Sequence, residues 1–100
     1  MKKTPAPKHL SAESKRFWAE ILREYCIEDP AGLKILRVAL EAFDRAQAAR
    51  EKIEQDGMTY IDKAGQPKPN PLLPIERDSR AAFLAGMKAL NLDPEGVNNG

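Results

Sequence analysis

The sequence predicts an all-α fold with three main helices, of which the central one is long. A short extended or hairpin segment and a proline-rich strap are expected before the last helix. Two apolar patterns of helical period, each preceded by a capping residue, and fourteen alanines among 100 residues support this prediction. Only 6% of the residues are aromatic, so the core is expected to be thin and built from closely packed helices.

The first helix is predicted to begin after Ser11, a good N-cap residue, with Glu13 in its first turn. Five apolar residues follow at spacings of 3, 1, 3 and 1, which places them on one helix face. They are Trp18, Ile21, Leu22, Tyr25 and Cys26. For the aromatic residues of this face, packing in the core is favoured over stacking on nucleic-acid bases. Cys26 is expected to be a small buried hydrophobe.

The second helix has a strong start signal, because Asp29 is a good cap and Pro30 suits the first helical position. It is predicted to run to Asp56, about 38 Å, and to stop at Gly57. Two stripes are expected along it: Leu33, Leu36, Leu40, Phe43 and Gln47 on one side, and Ile35, Ala39, Ala42, Ala46, Ala49 and Ile53 on the other. Two stripes imply two contacts, and the neighbour on the alanine side is expected to come from another copy of the chain.

A segment "MTYID" at 58–62 and a turn at Gly65 are typical of a small hairpin or an extended loop. Prolines at every second position then predict a polyproline II strap over residues 66–70. Asn70 is the expected cap of the last helix, with Pro71 as its first residue.

The last helix is predicted to become regular a few residues after Pro74, which lacks an N–H. One apolar face is expected to include Ile75, Ala82, Phe83, Met87 and Leu90, with Ser79 and Gly86 as small members.

Composition argues against an enzyme or a metal protein. The chain has one cysteine and one histidine, no glycine-rich phosphate loop and no nucleophile motif, so no catalytic residue, metal or cofactor is expected. It shows neither a signal peptide nor an apolar run long enough for a bilayer. A cytosolic protein without a membrane partner is therefore predicted.

Basic residues near the start suggest contact with phosphates, although the net charge of the whole chain is only +1. Residues 1–10 are predicted to form a flexible basic arm, for which a merely solubilising role is the competing interpretation. The candidate DNA-binding residues are Lys2, Lys3, Lys8, Lys15 and Arg16. Five charges are too few for tight binding, so several chains are expected to act together.

Four segments in this order, "LSAESKRFW", "DPAGLKIL", "GQPKPNPLL" and "ERDSRAAFLAGMKALNLDP", give residues 9–94 a resemblance to the small terminase subunits of tailed bacteriophages. The resemblance implies a helical subunit without a catalytic site that assembles into a ring. It also implies recognition of double-stranded viral DNA in the bacterial cytoplasm, and regulation of a large subunit that carries ATPase and nuclease activity.

On this resemblance, residues 11–92 form a helical oligomerisation and DNA-packaging domain, followed by a flexible polar tail at 93–100. The long helix, the strap and the last helix are expected to build a homo-oligomer larger than a dimer. The candidate oligomerisation residues are Leu36, Leu40, Phe43, Ala46, Ile53, Pro67, Pro69, Pro71, Phe83 and Met87. The alternative is a helical adaptor that docks a partner enzyme and does not bind DNA.

Overall fold

The computed structural model describes residues 4–92, which form three helices and a two-stranded sheet. The elements are α1 (Ala12–Glu24), α2 (Pro30–Asp56), β1 (Thr59–Ile61), β2 (Pro67–Pro69) and α3 (Leu72–Ala89). The fold is therefore mainly α, as predicted, but not purely so, because the segment before α3 closes into a hairpin.

Both predicted helix caps are present. The Ser11 hydroxyl accepts a hydrogen bond from the Ser14 N–H at 3.1 Å, and the Asp29 carboxylate accepts one from the Gly32 N–H at 2.8 Å. The helix α2 ends at Gly57, whose φ of +89° is one that residues with a Cβ rarely adopt. The bounds of α2 confirm the sequence prediction.

The proline strap does not run free as a polyproline II segment. It forms β2, which pairs antiparallel with β1 in the register Thr59 with Pro69, Tyr60 with Lys68 and Ile61 with Pro67. Two carboxylate contacts close the loop, because Asp62 Oδ1 accepts from the N–H groups of Ala64 and Gln66 at 2.9 Å each. The prediction of a hairpin is thus confirmed, and the prediction of a free polyproline II strap was wrong.

Asn70 joins the hairpin to α3. Its Oδ1 accepts from the Leu72 N–H at 2.9 Å, and its Nδ2 donates to the Gly57 carbonyl at 2.8 Å. Asn70 therefore accepts from the first N–H of α3, as a capping side chain does, but α3 starts one residue later than predicted, at Leu72, and Pro71 occupies the cap position. Pro74 is then the third helical residue, where a backbone N–H has no acceptor inside the helix, so it does not delay the helix as predicted.

The helices α2 and α3 make the most extensive contact in the fold, and small residues let them approach closely. A Cβ added at Gly86 would lie 2.6 Å from the Ala39 Cβ. Four alanines of α2 are already buried within a single chain: Ala39, Ala42, Ala46 and Ala49. The alanine side of α2 therefore packs against α3 within the chain, and the expectation that its neighbour comes from another copy was wrong. Sequence periodicity shows that a helix side is apolar but not which chain covers it.

The helix α1 covers the start of α2. Trp18 and Ile21 are buried, 4% and 7% exposed, and belong to the same core cluster as Leu36 and Leu40. Trp18 is thus a core residue as predicted. The predicted face was too long, however, because α1 ends at Glu24 and leaves Tyr25 43% exposed.

Two further expectations need correction. Cys26 is exposed, since it follows the end of α1 instead of lying on its apolar face. On α3 the buried residues are Ser79 and Met87, whereas Ile75 and Ala82, which were expected on the same face, are exposed.

The described part of the predicted arm is held against the helices. The Trp18 Nε1–H donates to the Thr4 carbonyl at 2.9 Å, and Leu10 is buried at 4% exposure. Residues 4–10 therefore differ from the free arm that their composition predicts, because this hydrogen bond and the packing of Leu10 and Ala6 against the core hold the segment in place. Residues 1–3 and the predicted tail at 93–100 lie outside the described residues.

Candidate nucleic-acid and subunit interfaces

The predicted DNA-binding cations are exposed where the structure describes them. Lys8 lies in the turn before α1, and Lys15 and Arg16 lie in its second turn. None of these three forms an ion pair within residues 4–92, so their charges remain available to a phosphate. Lys2 and Lys3 lie outside the described residues.

Acidic side chains of α2 meet the segment before α1. His9 Nε2 lies 2.6 Å from Glu41 Oε2, and Arg37 is 3.9 Å from the same oxygen. Asp44 accepts from the Ser11 N–H at 2.8 Å and from the hydroxyls of Ser11 and Ser14 at 2.6 and 2.7 Å. The start of α1 is thus joined to α2 by carboxylates, which reduce the positive potential around the three cations.

The pKa of Asp44 is lowered from its ordinary value of 3.8. Partial burial raises the pKa of this carboxyl, but the hydrogen bonds from Ser11 and Ser14 favour the charged form, and the net pKa is lowered. Because the folded state lowers this pKa, the carboxylate stabilises the fold above about pH 4, and the contribution is lost as the pH falls through the lowered pKa.

A groove of about 280 Å³ lies where the three helices meet. Its apolar lining consists of Phe17 from α1, Leu40 and Phe43 from α2, and Phe83 from α3. The Phe43 and Phe83 ring centroids are 5.2 Å apart, and those of Phe17 and Phe83 are 6.3 Å apart in an edge-on arrangement. Charged residues of α1 also line the groove, namely Glu13, Arg16 and Glu20. The geometry suits an apolar side chain with polar flanks.

The ten predicted oligomerisation residues fall into three environments. Four of them have almost no exposed surface in the chain itself: Leu36, Leu40, Ala46 and Met87. Phe43 and Phe83 line the groove, and Ile53 is half-buried near the end of α2. Pro67, Pro69 and Pro71 are exposed in β2 and in the turn that follows it. A partner can therefore reach the groove pair and the prolines, whereas the first four residues build the core of one chain.

Two surface features escaped the sequence prediction. Phe17 lines the groove, and its spacing of four from Ile21 was an available signal. The hairpin carries three exposed apolar side chains, Met58 (67%), Tyr60 (48%) and Ile61 (66%). A hairpin or extended loop was predicted at 58–62, but nothing in so short a pattern reveals that all three side chains stay exposed.

No group of three or more His, Cys, Asp or Glu residues within the described chain is arranged to hold a metal ion. Among the described helices, none is both long and apolar enough to cross a membrane.

A family model described as "phage terminase, small subunit" matches residues 12–97, which is nearly the whole chain. The chain belongs to the phage terminase small-subunit family. Membership gives this small terminase subunit a role in phage DNA packaging, in a family whose members are generally regulatory and non-catalytic. The match covers all three helices and the hairpin, so the groove and the hairpin both lie within the family region. No curated protein and no solved structure matches this chain.

Proposed function

We propose that this small terminase subunit recognises viral DNA and regulates the large terminase ATPase and nuclease during genome packaging, as a ring-shaped homo-oligomer in the host cytoplasm. The observation that carries the proposal is the family match over residues 12–97. The partners are then double-stranded viral DNA, the large subunit and further copies of the chain. The described residues supply exposed cations on α1 and an apolar groove between the helices.

DNA recognition is tested by titrating duplex DNA at several salt concentrations. Binding that weakens as salt rises is expected, because each neutralised phosphate releases counterions. The double variant Lys15→Ala, Arg16→Ala removes two proposed contacts, and the salt slope is expected to fall by about 2. The matched control is Lys63→Ala, Lys68→Ala, which removes the same charge from the hairpin. Equal losses of DNA affinity in both double variants would indicate a general charge effect and contradict recognition by α1.

Ring assembly through the groove is tested by light scattering on the variant Phe43→Asp. This change places a carboxylate beside the Phe83 ring, and it is expected to reduce the molar mass of the assembly while circular dichroism shows intact helices. The control is Gln47→Asp, one turn further along α2 at an exposed position. An unchanged mass in the groove variant would exclude the groove as a ring contact.

Regulation is tested by adding the small subunit to the large terminase subunit and measuring ATP hydrolysis. A change in rate that is lost in the Phe43→Asp variant is expected if the intact assembly is the regulator. No effect of the wild-type subunit on ATPase or nuclease activity would contradict the regulatory part of the proposal.

A helical adaptor that does not bind DNA is the second candidate. It is favoured by the net charge of +1 and by the carboxylates of Glu41 and Asp44 at the start of α1. The same titration separates the two functions. An adaptor binds the large subunit but shows no salt-dependent affinity for duplex DNA.

A further inference from the structure

The two outer edges of the hairpin differ in hydrogen-bonding capacity. The Asp62 N–H donates to the Gln66 carbonyl at 2.9 Å, and the Asn70 N–H donates to the Met58 carbonyl at 2.7 Å. Hydrogen-bonded pairs alternate along an antiparallel ladder, so Tyr60 and Lys68 form the hydrogen-bonded pair between these two. The residues between the hydrogen-bonded pairs direct their backbone groups away from the partner strand.

On β2 these outward positions are occupied by Pro67 and Pro69, which have no N–H. The outer edge of β2 therefore offers carbonyl acceptors only, and a further strand cannot form a regular ladder on it. Lys68 adds a charge in the middle of the same strand. This edge is protected against strand addition.

On β1 the outward positions are Thr59 and Ile61, each with both an N–H and a C=O. No hydrogen bond within residues 4–92 occupies the outward groups of either residue. The segment from Gly57 to Ile61 carries no charge, and Ile61 is 66% exposed. An exposed, uncharged strand with two free donors and two free acceptors is a template for another strand.

We propose that the outer edge of β1 pairs antiparallel with β1 of a second copy of this chain, about a two-fold axis beside Tyr60. Thr59 of each copy then bonds Ile61 of the other, which uses every outward donor and acceptor of both strands. The two Tyr60 side chains become direct neighbours on one face, and an aromatic pair of this kind stabilises a sheet. No charged residue of β1 opposes another, so a second copy fits this edge without repulsion.

The resulting sheet has four strands in the order β2, β1, β1, β2, and the prolines end it on both sides. A two-fold contact closes after two copies, so it does not by itself build a ring. This inference does not rest on the proposed function. If rings form through the helices, the strand contact joins two rings, and the number of chains in the whole assembly is even.

Site-specific disulfide formation tests the contact directly. Cys26 is first replaced in the variant Cys26→Ser, and Tyr60→Cys is then compared with Lys68→Cys as the matched hairpin position. Residues facing each other without hydrogen bonds are about 4.5 Å apart at Cα, within disulfide reach, whereas two Lys68 positions would be about 14 Å apart. Mild oxidation is expected to cross-link Tyr60→Cys chains into dimers and to leave Lys68→Cys chains single.

The edge itself is tested with Ile61→Pro, which removes an outward N–H and leaves every hydrogen bond inside the hairpin. Light scattering is expected to show half the wild-type mass. Ile61→Lys is a second variant that keeps the backbone intact and is expected to give the same result. The double change Pro67→Thr, Pro69→Thr opens the β2 edge and is expected to produce larger assemblies than the wild type.

Three results would overturn the proposal. They are a wild-type mass that Ile61→Pro and Ile61→Lys both leave unchanged, equal cross-linking at both cysteine positions, and cross-links formed only in a mixture of Tyr60→Cys and Lys68→Cys chains. The last result would indicate pairing of β1 with β2, which can build a ring. Neither the DNA titration nor the groove variant depends on these outcomes, so the two proposals fail separately.

Discussion

The two ends of α2 are packed very differently, although one helix connects them. Near its start, Leu36, Ala39 and Leu40 are at most 1% exposed and meet both α1 and α3. Beyond its last residue, the hairpin leaves Met58 and Ile61 about two-thirds exposed. The chain therefore concentrates its core at one end and presents apolar surface at the other, an arrangement that suits partners binding at the hairpin.

This contrast follows from the number of layers at each end. Three helices meet where α1 crosses the pair α2 and α3, so an apolar side chain there finds neighbours on several sides. The hairpin has two short strands, and every residue of both strands is exposed. A two-stranded hairpin is only marginally stable by itself. Its attachment to α3 and any added strand therefore stabilise it.

The largest expected effect is on the helix contact at the packed end. Gly86→Val is expected to lower the free energy of unfolding by about 2 to 3 kcal/mol, because a Cβ at Gly86 would lie far too close to Ala39. Ala85→Val, at the exposed neighbouring position, is expected to change it by less than about 1 kcal/mol, mainly through the lower helix propensity of Val. Urea denaturation measures both, and equal midpoints would show that α2 and α3 are less tightly packed than described.

Asn70 is buried and joins the hairpin to the packed region. Asn70→Ala is expected to cost about 1 to 2 kcal/mol, since it leaves the Gly57 carbonyl and the Leu72 N–H without their partner. Asn70→Asp keeps the acceptor for Leu72 and is expected to cost less. Thermal unfolding measures the stability of both variants. A greater loss of stability in Asn70→Asp than in Asn70→Ala would contradict this prediction.

Asp44 tests the junction between α1 and α2 through pH. Asp44→Ala is expected to cost about 1 kcal/mol at pH 7, because three hydrogen bonds to the carboxylate are lost. Since the folded state lowers the pKa of Asp44, the difference from the wild type is expected to stay constant above about pH 5 and to shrink as the pH falls below 3.8.

A control for this measurement is Asp78→Ala, which removes an exposed carboxylate that lies 3.0 Å from Arg77. It is expected to change stability by less than about 0.5 kcal/mol at any pH. A difference for Asp44→Ala that grows toward low pH would contradict the assigned direction of the pKa.

The smallest effect is expected at Cys26. Cys26→Ser is expected to change stability by less than about 0.5 kcal/mol, because the side chain is exposed after the end of α1. The thiol is also expected to react with a disulfide reagent as readily in the folded chain as in denaturant. Slow reaction of the folded protein would indicate that Cys26 is buried on the helix face that its spacing predicts.

Helix starts were the most predictable part of the fold, since they depend on local chemistry. The caps Ser11 and Asp29 and the stop at Gly57 are visible in a few neighbouring residues. The ends of the apolar faces were less predictable. Tyr25 and Ile75 have helical spacing but are each 43% exposed, and spacing contains no information about how far a neighbouring element covers a side chain.

The candidate interfaces were likewise predictable where they depend on neighbouring residues and not where they depend on distant segments. The exposed cations of α1 were identified from charge alone, and their exposure follows from the polar side of an amphipathic helix. The groove was found only in part: Phe43 and Phe83 were predicted contacts, but their meeting with Phe17 needs three helices at a fixed crossing. The carboxylates that hold the start of α1 were not predicted, because they come from a distant part of the chain.

The sequence by itself determined the helical class, the bounds of α2 and the hydrogen bond of Asn70 to the start of α3, because each depends on residues a few positions apart. Only the tertiary structure decided that α3 covers the alanine side of α2, that residues 4–10 lie against the helices, and that the edge of β1 stays open. These depend on how distant segments meet, and burial is a property of the assembled chain that no local pattern contains.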